Sequence, residues 1–190
     1  MTNWFETRDG IWQKLWDTLG RGVADARHPA RRPTFATVSP AGWPEARTVV
    51  LRSADRDAGL VTMHTDLYSG KVASLRNNAR AALHIWDPKQ DLQIRLQAEV
   101  DIQSGPQTQS LWDKIPDHAR QSYGVTPPPG QPIQGALDYV KAPEPATFAV
   151  LSCAVMQIDA VHLGEQHRRC SFSRERGWEG QWLSPKPQPV

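Results

Sequence analysis

The run Leu92–Ile102 constrains the fold more than any other stretch. Leu92, Ile94, Leu96, Ala98, Val100 and Ile102 alternate with Gln93, Arg95, Gln97, Glu99 and Asp101. A period of two puts the apolar set on one face of an extended chain and the polar set on the other. The chain therefore contains a long strand with one buried face, which needs a sheet and a core to cover it. In a lone chain, Gln93 and Arg95 would face solvent.

The neighbouring segments supply that sheet. Thr34–Ser39, Leu60–Thr65, Ala81–Trp86 and the mostly apolar run Thr147–Ile158 read as strands. Gln166–Arg174 and Gly180–Leu183 read as a closing hairpin, with Pro185, Pro187 and Pro189 ending the fold. Before them, Trp12, Leu15, Trp16, Leu19 and Val23 recur at helical spacing in residues 9–26. That helix is expected to pack over one end of a barrel, and His28–Pro33 breaks it. Trp43, among prolines, reads as a loop aromatic. A helical region is expected over Ser104–Gly124, followed by a stiff loop over Thr126–Pro132 that cannot be a central strand. Many short strands with a covering helix make the fold class mainly β (α+β), an antiparallel barrel with flanking helices, expected as one domain over residues 1–190.

Chemistry concentrates between Arg47 and Lys71. Arg47–Arg52 (R-T-V-V-L-R) reads as one strand flanked by arginines, and Ser53–Gly59 as a turn. Ser69-Gly70-Lys71 then opens a short helix over residues 71–76, with Ser69 as N-cap. Hydroxyls, a lysine and backbone N–H groups at a helix start form a natural phosphate seat, and the arginines can add bidentate contacts. The same residues also fit an edge strand with solvated arginines and an ordinary capped helix.

In order, R-T-V-V-L-R, H-T-D-L-Y-S-G-K, N-N-A-R-A-A-L-H-I-W and D-L-Q-I-R-L-Q-A-E-V resemble the FMN-binding split barrels of the pyridoxamine 5′-phosphate oxidase family. H-R-R-C-S-F-S-R near the C-terminus extends the likeness. The resemblance implies an FMN site built from Arg47, Thr48, Val49, Val50, Leu51, Arg52, His64, Thr65, Ser69, Lys71, Gln93 and Arg169. Arg47 and Lys71 would neutralise the phosphate, Thr65 and Ser69 donate to it, and Gln93 meet the polar edge of the flavin ring. It further implies a homodimer with FMN at the subunit interface, and an FMN-dependent oxidoreductase acting on a small molecule. His167, Glu165 and Arg120 fall at its substrate positions. Two departures stand out. Gly70 occupies the place of a second basic residue, and Glu165 that of an arginine holding the substrate's phosphate. A carboxylate there repels such a substrate, so a true pyridoxamine 5′-phosphate oxidase is the alternative reading. A carrier or scavenger barrel holding flavin or haem is another.

Net charge is +2 with both signs interspersed, which points to neither nucleic acid nor membrane as partner. The N-terminus lacks a signal-type apolar segment, the longest apolar run (around Phe148–Met156) is too short to span a bilayer, and only Cys153 and Cys170 are present. A cytoplasmic chain with reduced thiols is expected. His84 has no second ligand at metal spacing, so no metal site is expected. No acid–base pair stands out as catalytic.

Overall fold

In the computed structural model, residues 3–184 are described; the terminal Pro185, Pro187 and Pro189 lie outside them. Helix α1 (Arg8–Ala24) begins where the Thr7 side chain accepts from Gly10 N at 3.0 Å. Its stripe of Ile11, Leu15, Trp16 and Leu19 is buried, and it packs on strand β3 (Leu51–Asp55). Burial of each such side chain is worth roughly 1.5–3 kcal/mol, which makes α1 the lid of the core.

The remaining strands of the main sheet are β1 (Thr34–Val38), β2 (Pro44–Thr48), β4 (Leu60–Asp66), β5 (Arg80–Asp87) and β6 (Leu92–Ser104). After these come the β7–β8 ribbon (Val125–Thr126 and Val140–Lys141), then β9 (Phe148–His162), β10 (Arg168–Ser173) and β11 (Gln181–Leu183). One wing runs β11-β10-β9-β6-β5-β1-β2, all antiparallel. The period-two strand is β6, whose apolar residues from Leu92 to Val100 are buried. It pairs with β9 along its whole length. The other edge of β9 changes partner, pairing with β4 over Phe148–Ala154 and with β10 over Gln157–His162. A register shift at Gln97/Ala98 marks the change. This exchange of partners along one strand splits the barrel.

Three expectations need correction. Arg47–Arg52 is not one strand: β2 ends at Thr48 and β3 begins at Leu51. Arg47 is paired with Phe35 of β1, whereas Leu51 is paired with Met63 of β4, so the chain crosses between wings at Val49–Val50. Ser53–Asp55 belongs to β3 rather than to a turn, because Ser53, Ala54 and Asp55 continue the ladder with β4. The Ser104–Gly124 region is only short turns, with α3 (Gln109–Trp112) and α4 (Asp117–Arg120) as its helical pieces. Gly105, with φ of +72°, and Pro106 and Pro116 interrupt any longer helix. What holds the region is a small second core of Trp112, Ile115 and Tyr123 on Phe148 and Val150.

Candidate functional site

Strands β2 and β4 and helix α2 (Gly70–Asn77) converge on a cluster of donors. Lys71 Nζ donates to Thr65 Oγ1 at 3.0 Å, and the Thr65 and Ser69 hydroxyls lie 3.1 Å apart. Ser69 is the N-cap residue by position, yet its hydroxyl is spent on Thr65 instead of on the helix. Arg47 reaches Thr37 Oγ1 at 2.7 Å through Nη1 and Glu45 Oε2 at 2.8 Å through Nη2. Burial lowers the pKa of Lys71, and the charge of Arg47 lowers it further, against a smaller opposing pull from Asp66. Two cations thus press on one partly buried site. Glu45, Arg47, Ser69, Gly70 and Lys71, with Pro129 and Gly130 of the proline loop, line a cavity of about 550 Å³ there. A Cβ on Gly70 would meet nothing within 4 Å, so this wall is open where a second basic side chain would stand.

Beside the seat, β3 and β4 carry Arg52 and His64. Burial, with help from Arg52, holds the His64 pKa down at about 4, so the ring is neutral at neutral pH. Burial pushes up the pKa of Tyr123 against a smaller downward pull from the Arg52 charge, and His64 stands edge-on to Phe148 at 4.9 Å. Arg52 Nε and His64 Nδ1 are buried without a partner, which is the pattern of groups awaiting a polar ligand. The residues between the wings contribute differently. Leu51 is fully buried and its carbonyl accepts from Arg31 at 3.2 Å; Val49 is buried, Val50 half-buried and Thr48 exposed.

Gln93 and Arg169 are elsewhere. Both lie in register with Val161 of β9, on the face of the sheet away from the core. Arg47 is in line with Phe35, Leu83 and Leu96, on the core-facing side. Gln93 faces His84 at 3.4 Å. Arg169 grips Asp159 with Nε at 3.0 Å and Nη2 at 2.7 Å, and Arg95 holds the same carboxylate. Burial pushes the Asp159 carboxyl up, but the hydrogen bonds from Arg169 and Arg95 outweigh it and leave the pKa below the usual range. Glu165 and His167 are exposed in the β9–β10 loop. Arg120 is bound locally, to Asp117 at 3.1 Å and to the Trp112 and Asp113 carbonyls.

Sequence reasoning missed Glu45 and Asp159. Glu45 stands two residues before Arg47 on the same strand, a spacing that puts both on one face. Asp159 lies just past the expected end of its strand, which continues to His162. Among the described residues, no group of three or more His, Cys, Asp or Glu side chains is arranged to hold a metal, and no helix is long and apolar enough to cross a membrane.

Fold and cluster together define an antiparallel split barrel with a cationic, hydroxyl-lined seat at the start of α2. Residues 12–104 match the family model "Pyridoxamine 5′-phosphate oxidase, FMN-binding domain". A pyridoxine/pyridoxamine 5′-phosphate oxidase of Anaeromyxobacter dehalogenans is 27% identical over 170 residues, covering 90% of this chain and 76% of that protein. Its counterpart in Microcystis aeruginosa is 38% identical over 88 residues, and the chain spans only 39% of that relative's length. The crystal structure of a pyridoxamine 5′-phosphate oxidase-related, FMN-binding protein of Nostoc punctiforme superposes with a TM-score of 0.72 at 24% identity, covering 92% of this chain and 96% of that one. Residues 12–104, just under half of the chain, thus resemble the FMN-binding domain of the pyridoxamine 5′-phosphate oxidase family, and the fold is that of its split barrels.

Proposed function

We propose that the chain is an FMN-dependent oxidoreductase of this family, acting on a small molecule as a homodimer. The observation that carries the reading is the convergence of Arg47, Ser69 and Lys71 on one cavity, with the buried Thr65 hydroxyl bonded to Ser69 and Lys71. This donor set fits a phosphate monoester: two cations for charge and two hydroxyls to donate. Arg52 Nε and His64 Nδ1, on the adjoining strands β3 and β4, are also buried and unpartnered, and would suit polar atoms of a ligand. When bound, FMN supplies two-electron chemistry, while the protein orients it and controls access. His64, neutral at working pH, offers a hydrogen bond without a charge.

A second copy completes the reading. Gln93 and Arg47 project from opposite faces of one sheet, so a single subunit does not present both to one small ligand. The outer face also holds a cavity of about 540 Å³ floored by Ala36, Val38, Pro44, Ala82 and Met156, a surface suited to a partner subunit. Pyridoxamine 5′-phosphate is disfavoured as substrate, because Glu165 adds like charge where the related oxidases place an arginine. The expected oxidation of that compound is weak, and Glu165→Arg is expected to raise it.

The purified protein tests the reading. The expected result is a flavin absorbance spectrum, with sedimentation near twice 21.3 kDa. A haem spectrum, or flavin bound to a clean monomer, overturns it.

A further inference from the structure

Glu45 has no place in the phosphate-binding reading, yet it lines the same cavity as Arg47, Ser69 and Lys71. Its Oε2 accepts from Arg47 Nη2 at 2.8 Å and lies 3.4 Å from the buried Ser74 hydroxyl of α2, which donates chiefly to Gly70 O at 3.0 Å. The carboxylate is thus held by Arg47 from the strand side, with α2 close against it. It presents an anionic oxygen to the guanidinium that a phosphate monoester would use. Arg47 keeps other fixed partners in Thr37 Oγ1 and the carbonyls of Phe35 and Glu45, so its position does not depend on the Glu45 carboxylate.

We propose that Glu45 is a built-in phosphate surrogate: it occupies Arg47 in the ligand-free protein and competes with an incoming phosphate for that guanidinium. The proposal rests on the reading of this cavity as a phosphate seat. Three consequences follow from the chemistry. A dianion entering the seat must displace the carboxylate or sit beside it, and either lowers affinity. The effect is confined to ligands that bear the phosphate. It also prevents two adjacent cations from standing uncompensated when the seat holds no ligand, which matters because Lys71 already carries the burden of burial and of Arg47. The Glu45 side chain is 43% exposed, so solvent and salt limit the competition to about tenfold in affinity.

The test is a titration of the full-length protein and of Glu45→Gln with FMN, riboflavin and inorganic phosphate at fixed ionic strength. Glutamine keeps an acceptor for Arg47 and Ser74 and removes only the charge. The expected result is FMN and inorganic phosphate bound about tenfold more tightly by Glu45→Gln, with riboflavin unchanged and the FMN gain shrinking in high salt. Glu45→Ala, which removes the acceptor as well, should shift FMN in the same direction. Circular dichroism and the thermal midpoint confirm that the variants are folded. If Glu45 instead positioned Arg47, Glu45→Ala would weaken FMN, and that result overturns the proposal. Equal changes for FMN and riboflavin, no change for FMN and phosphate, or no phosphate binding by either protein overturn it too. Should flavins fail to bind while Glu45→Gln tightens inorganic phosphate, the surrogate role stands and the FMN assignment falls.

Discussion

Two clusters in this barrel each combine two cations with one carboxylate, and they behave oppositely. On the outer face, Asp159 takes three donor contacts from Arg95 and Arg169. The pKa of Arg169 is raised, chiefly by its hydrogen bond to Asp159, and that of Asp159 is lowered. Each charge there is stabilised by its neighbours. At the seat, Glu45 meets Arg47 alone among the two cations, and the pKa of Lys71 falls through burial and the charge of Arg47. One cluster is electrostatically satisfied within the fold and holds strands together. The other carries a cation at a cost, which an incoming anion relieves. Counting charges does not separate them; hydrogen-bond geometry and the direction of the pKa shifts do.

Substitutions can break or sharpen that contrast. The largest expected effect is on ligand binding at the seat. Lys71→Ala and Arg47→Ala should each cost FMN roughly 1.5–3 kcal/mol, about 10- to 150-fold in Kd, and leave riboflavin nearly unchanged. Paired titrations with both flavins check this, and equal losses would mean the phosphate sits elsewhere.

Next comes the stability of the outer cluster. Asp159→Asn leaves two arginines without their shared partner and should cost about 2 kcal/mol, discounted for the exposure of Arg95. For a chain of this size that lowers the thermal midpoint by roughly 4–8 °C. Since the folded pKa of Asp159 is lowered, its contribution is present above the usual carboxylate range and is lost as pH falls through the folded pKa. The gap between wild type and variant should therefore close below about pH 4. A gap that widens on acidification contradicts the assignment.

A smaller effect is expected at His64. With its pKa at about 4 in the fold against an unfolded value of 6.5, the unfolded chain binds the extra proton first. Stability should fall between pH 6.5 and 4 on this account, and His64→Asn should flatten that part of the denaturation profile. The smallest effect is expected for Lys71→Met without ligand, which should shift stability by no more than about 0.5 kcal/mol. A loss as large as that of Asp159→Asn would make the seat a structural network and abolish the contrast.

The period-two run predicted β6, and the helical stripe predicted α1, because each has one face against the core. Arg47, Thr65, Ser69 and Lys71 were legible as a group because they fall within two adjoining motifs. Their separation from Gln93 and Arg169 was not. That depends on which wing each strand joins, and the crossing at Val49–Val50 hides inside an apolar run that reads as one strand. Asp159 was invisible for a related reason: β9 is buried along most of its length, so no alternation signals which residues face outward. The turns after Ser104 escaped because their stability comes from contacts with Phe148 and Val150, distant in sequence.

The most direct test of the central claim is a crystal structure of the protein with FMN. The account predicts phosphate oxygens about 3 Å from Arg47 and Lys71, with the flavin ring extending toward Gln93 of the partner subunit. A phosphate bound away from α2, or a ring enclosed by one subunit alone, would contradict it.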